Sequence, residues 1–117
     1  PTIGTIDKLF EDLGLIDIKV KPSLSIKVRQ REDTKICLEY NYSIKAYYRV
    51  FGGGWNRFLN ISDKGSECLG FDNCVKIIDN DVVTGNLCYY PNDNKVCLKL
   101  KVGYKGVGVK VTECVKL

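Results

Sequence analysis

The chain has 117 residues, 44% of them hydrophobic, and a formal charge of +4. That length supports a single domain, 1–117, whose core is small enough for covalent staples to matter. The composition excludes a disordered tail, no apolar run reaches the roughly 18–20 residues that span a bilayer, and the complete lack of histidine removes Ser-His and Cys-His hydrolytic sites and the usual ligand of catalytic zinc.

The chain begins at Pro1 and contains no methionine, which predicts an N-terminus left by removal of a signal peptide. In "TIDKLFEDLGL", Ile6, Leu9, Phe10 and Leu13 recur at helical spacing, with Thr5 as N-cap and Gly14 as stop. This predicts a short amphipathic helix within residues 1–14 that packs on a sheet. Its polar side carries Asp7, Glu11 and Asp12, unlike the basic face of a membrane-surface helix.

From Ile16 the period becomes two. Ile16, Ile18 and Val20 alternate with Asp17 and Lys19, and after Pro22 the pattern resumes through Leu24, Ile26 and Val28. The stretch from Cys37 to Val50 places Leu38, Tyr40, Tyr42, Ile44, Ala46, Tyr48 and Val50 on one face. Asn41, Lys45 and Arg49 fall on the other. "GGGW" follows as a hairpin turn, and a second alternating arm runs through Leu59 and Ile61. Later, Val96 to Tyr104 and Val107 to Val115 repeat the alternation around "KG". The pattern predicts antiparallel hairpins with one buried face. A strand of about 15 residues must twist, bulge or change sheets, because five or six residues is usual. The expected fold is mainly β: an antiparallel sandwich or strongly curved sheet of about seven or eight strands, with the short N-terminal helix.

Cys37, Cys68, Cys74, Cys88, Cys97 and Cys114 are six cysteines in a small chain, which favours disulfides and an oxidising compartment over a thiolate metal site. A two-residue turn at Lys105-Gly106 sets Cys97 directly opposite Cys114, in the closer, non-hydrogen-bonded pair type. A turn at Gly52-Gly53 sets Cys37 opposite Cys68, in the less favourable hydrogen-bonded type, and pairs Val50 with Trp55. A turn centred on Asp81 sets Cys74 opposite Cys88. Cys97–Cys114 is the preferred pair. Cross-links between sheets are the alternative, and they would scramble this assignment.

With all cysteines oxidised, no thiol nucleophile remains. The paired acids Glu32-Asp33, Glu11-Asp12 and Asp79/Asp81 read as turn residues. The "DND" of residues 79–81 and the "NDN" of 92–94 lack the glycine and glutamate of a calcium loop. "GGGW" has no phosphate-loop lysine. No catalytic residue, metal site or cofactor is predicted. Asn41 and Asn60 head N-x-S acceptors on the polar parity of two paired strands, so both are candidate sites for N-linked glycans. Tyr40, Tyr42, Tyr48 and Trp55 share an apparent face. With Tyr89 they are candidates to line an apolar pocket or contact surface; ordinary core packing is the competing reading. The lysines alternate with apolar residues along strands, as on a solvated sheet face, and give only a weak general attraction to anionic glycans, nucleic acid or lipid.

The stretches "KICLEYNYSI", "NISDKGSEC", "KVCLKLKV" and "GVGVKVTECVKL" resemble a family of small secreted cysteine-rich arthropod proteins, over residues 36–117. The resemblance implies a secreted, cysteine-rich β domain and carries no catalytic residues. The expected function is that of an extracellular, non-enzymatic protein. It would bind a small apolar ligand or a surface partner through the Tyr/Trp-rich face, without nucleic acid or a membrane span. The alternative is a structural or bulk secretory component such as a matrix, silk, venom or storage protein.

Overall fold

The computed structural model describes residues 16–50, 53–71, 73–104 and 106–117. The expected helix at residues 5–13 lies outside them. So do Gly52 and Lys105 of the two expected hairpin turns. The described chain forms seven strands: β1 (Ile16–Arg31), β2 (Lys35–Val50), β3 (Asn56–Gly70), β4 (Cys74–Asp79), β5 (Val83–Tyr90), β6 (Lys95–Tyr104) and β7 (Val107–Lys116). They make two antiparallel sheets, one of order β1-β2-β3 and one of order β4-β5-β6-β7. β1 lies against β7, and β3 against β4 and β5. The described chain measures 57 × 22 × 20 Å, a length close to the roughly 53 Å that a 16-residue strand spans.

The two-residue alternation decides what is inside. Ile36, Leu38, Tyr42, Ile44 and Ala46 of β2 are buried on one face, and Leu59 and Leu69 of β3 join them. Val83, Leu87 and Tyr89 of β5, and Val96, Leu98, Leu100 and Val102 of β6, supply the other side. These residues form one hydrophobic cluster. No charged or polar residue is buried among those described.

All three disulfides join neighbouring strands: Cys37–Cys68, Cys74–Cys88 and Cys97–Cys114, with Cα separations of 4.0, 4.1 and 4.0 Å. Such short separations belong to the non-hydrogen-bonded pair type. For Cys97–Cys114 this is the expected type. For Cys37–Cys68 it corrects the expectation of a hydrogen-bonded pair. The reason is a bulge in β3. Ala46 faces Leu59, but Tyr47 faces Arg57, so Phe58 is an extra residue. One inserted residue reverses the parity between the turn and the cysteines. Between the bulge and the disulfide the ladder is unbroken and pairs Ile44 with Ile61.

The same alternation accommodates Pro22, which faces Ile44 in edge strand β1. Counting from the close Cys37–Cys68 pair, Ile44 directs its amide toward β3. Pro22 therefore stands in a non-hydrogen-bonded pair, and its missing N–H faces outward where no ladder bond is lost. The sequence pattern interrupted by Pro22 is thus one strand, not two. The "DND" segment is a turn: Asn80 Oδ1 accepts from the backbone amides of Val82 and Val83, both at 2.9 Å. In the "NDN" segment, Asn94 adopts φ 50° after a short 3-10 turn at Pro91–Asp93, a conformation asparagine tolerates.

Gly85 is buried where a Cβ would lie 2.9 Å from Ile78 Cδ1 and 3.1 Å from Leu100 Cδ2. Gly85→Ala should therefore cost about 1–3 kcal/mol through overpacking, read as a lower urea midpoint with an unchanged slope. Peptide mapping without reduction should recover the three nearest-neighbour disulfides. A peptide joining Cys68 to Cys97 would contradict the register.

Candidate functional site

The five aromatic residues singled out by the sequence do not converge. Tyr40 and Tyr42 stack on each other, with centroids 6.1 Å apart and planes 19° from parallel. Tyr40 lies across Gly65 on β3, where a Cβ would come 2.5 Å from its hydroxyl. That glycine is kept small by the ring over it. Tyr48 packs 4.5 Å from Tyr104, which in turn packs 4.4 Å from Phe58. Tyr89 is buried and meets Phe71 edge-on at 5.7 Å. These are three separate contacts along the inner faces, each ring occupied by protein neighbours.

Trp55 sits elsewhere. The β3 bulge ends the expected register, so Trp55 does not face Val50; the last pair is Tyr48 with Asn56. A one-residue shift sends every following side chain to the opposite face. Trp55 accordingly stands on the outer side, 37% exposed. Lys19 Nζ lies 4.4 Å from its ring centroid and Arg49 Cζ 4.6 Å. Tyr47 is beside it, with Lys19 at 5.3 Å and Lys21 at 5.6 Å from its ring. Arg49 Nε donates to Asp17 Oδ2 at 2.9 Å, which fixes the guanidinium. Lys21 faces Lys45, and Tyr47 faces Arg57, in the strand pairing. The result is an exposed Trp55 and a half-buried Tyr47 set among cations, with Asp17 held by Arg49 beside them.

This cluster was missed because β1 supplies half of it from across the sheet. One local signal exists: the apolar doublet Phe58-Leu59 breaks the alternation, and both residues reach the core. Asn41 and Asn60 are exposed on the same outer face, and the serines that complete their N-x-S motifs, Ser43 and Ser62, face each other. Near the disulfide Cys37–Cys68, Arg29 donates to Glu39, and this hydrogen bond holds the Glu39 carboxyl below its usual range. No group of three metal-ligating side chains occurs among the described residues, and no helix among them is long and apolar enough to cross a membrane. Comparison with protein-family models, curated proteins and solved structures finds no match.

Burial raises the phenol pKa values of Tyr40 and Tyr42, with Glu67 and Asp63 adding to Tyr40 and Asp63 to Tyr42. The folded state then holds these protons more tightly than the unfolded chain. The stability this contributes is intact below pH 10.0, the ordinary tyrosine value, and is lost as pH rises through the raised folded values. In an ultraviolet titration these two phenols should ionise late, above the ordinary tyrosine value. Tyr40→Phe with Tyr42→Phe should abolish the late phase and flatten the alkaline loss of stability.

Proposed function

We propose that this is an extracellular, non-enzymatic protein whose two sheets stack as a sandwich and whose Trp55–Tyr47 cluster engages a surface partner. The exposed Trp55 between Lys19 and Arg49 carries this reading. Large aromatic rings and guanidinium groups are the side chains most enriched where proteins bind partners. The concentration of cations favours a partner with an acidic surface. An enclosed apolar ligand has less support, because Tyr40, Tyr42, Tyr48 and Tyr89 are packed against protein neighbours.

Three disulfides support secretion, since such bonds persist in oxidising compartments. All six cysteines are paired, which argues against thiol catalysis. Exposure of Asn41 and Asn60 supports N-linked glycans there, and treatment of native material with an N-glycosidase should lower its mass. The structural or bulk secretory reading draws on the same staples and on the protein neighbours around each core ring, and the two make opposite forecasts for Trp55. In the native fluid, hydroxyl-radical oxidation of Trp55 and Tyr47 should be slower than in purified protein, while Phe71 oxidises equally in both. Equal rates for all three would contradict the surface-partner reading and favour the structural one.

A further inference from the structure

The outer face of the second sheet collects cations. Strand pairing places Thr84 beside Lys101 and Lys101 beside Lys110 in one row. The next row on the same face holds Asn86, Lys99 and Thr112. These six side chains line one recess of about 340 Å³. Among the described residues, no carboxylate lies within ion-pair reach of Lys99, Lys101 or Lys110. Asp79, at the edge beyond Thr84, is engaged by Lys76 at 3.8 Å. Glu113 has the opposite parity and pairs with Leu98 of the core face.

This arrangement is costly in the free protein. Lys101 and Lys110 stand four pairs from the close Cys97–Cys114 pair, so they share its type and their Cα atoms are about 4.5 Å apart. Like charges directly opposite destabilise a sheet. Lys99 stands one row away, roughly 7 Å along the strand. Disulfide Cys97–Cys114 forms the following row and holds β6 and β7 in register beneath the cations. Three ammonium groups, two hydroxyls and an amide on a covalently fixed surface are a donor set for oxyanions.

We propose that this face binds the sulfate groups of a linear sulfated polysaccharide, a ligand class that rests on the extracellular reading above. The site itself is independent of the Trp55 cluster, which lies on the other sheet. Lysine presents point charges suited to spaced, freely rotating sulfates; the recess has no arginine to grip phosphate in bidentate fashion. Among the described residues the large exposed apolar ones are Val28, Trp55 and Phe71, none of them on this face, so none of these is placed to insert into a bilayer from here. Tyr90 has Lys95 at 5.7 Å and Lys99 at 5.3 Å from its ring centroid, so this ring already carries cations where a stacked base would sit.

The test is binding of a heparin-type oligosaccharide, its fully desulfated counterpart, anionic phospholipid vesicles and a single-stranded oligonucleotide, in physiological salt. The sulfated oligosaccharide should bind most tightly. The variant K99A/K101A/K110A should lose about tenfold or more in affinity and show a shallower salt dependence. The charge-matched variant K27A/K35A/K64A, on the first sheet, should lose much less. In wild-type protein, the oligosaccharide should protect Lys99, Lys101 and Lys110 from acetylation, a readout that needs no substitution. Equal losses in both triple variants, no protection of the three lysines, or tighter binding to vesicles or oligonucleotide would overturn the proposal. Because all binding is measured on purified protein, failure here leaves the question of secretion untouched.

Discussion

The register between neighbouring antiparallel strands is the constraint from which the rest follows. Side chains alternate between faces, so a slip of one residue would turn the core outward along a whole strand. This chain fixes its register covalently, with one disulfide across β2–β3, one across β4–β5 and one across β6–β7. In the second sheet Cys74, Cys88, Cys97 and Cys114 form a continuous row, because Cys88 also faces Cys97. The close pairs on either side leave Cys88 and Cys97 as the wide pair that exchanges backbone hydrogen bonds. Thus all four strands are joined along one line, by two covalent links and a pair of main-chain bonds. In the chain-entropy picture each disulfide contributes roughly 3 kcal/mol, a large share of the net stability of a small domain.

With the register pinned, the two outer faces are the surfaces on which the two proposed sites lie. Each presents lysines at regular steps, but with different companions. On the first sheet, aromatic rings hold Lys19 and Arg49 close to Trp55. On the second, hydroxyls and an amide surround Lys99, Lys101 and Lys110. The interior is occupied by aliphatic side chains and paired aromatic rings.

Much of this organisation was legible from the residues. Alternation is a local signal, so the long β2 strand, its buried face and the exposed Asn41 and Asn60 could be read directly. The index symmetry of a hairpin carried Cys97–Cys114, Cys37–Cys68 and Cys74–Cys88. The bulge at Phe58 was not legible by that symmetry, because counting from a turn assumes an unbroken ladder. Its consequence was large: Trp55 moved from the tyrosine face to the opposite side. The Lys19–Trp55 and Tyr48–Tyr104 contacts were hidden for another reason. They join residues distant in sequence, through the placement of β1 on β2 and of one sheet against the other, which no local pattern encodes. Pro22 interrupts the alternation in the sequence but not the strand, since β1 is an edge strand.

The face occupied by Trp55 decides whether this reading of the molecule holds. Trp55 is the sole tryptophan of the chain, so its indole resonances are unambiguous in a proton NMR spectrum. Nuclear Overhauser contacts should run from the indole ring to the side chains of Lys19 and Arg49. Contacts to Tyr48, Phe58 or Tyr104, with none to Lys19, would return Trp55 to the interior and contradict both the bulge and the surface site built on it.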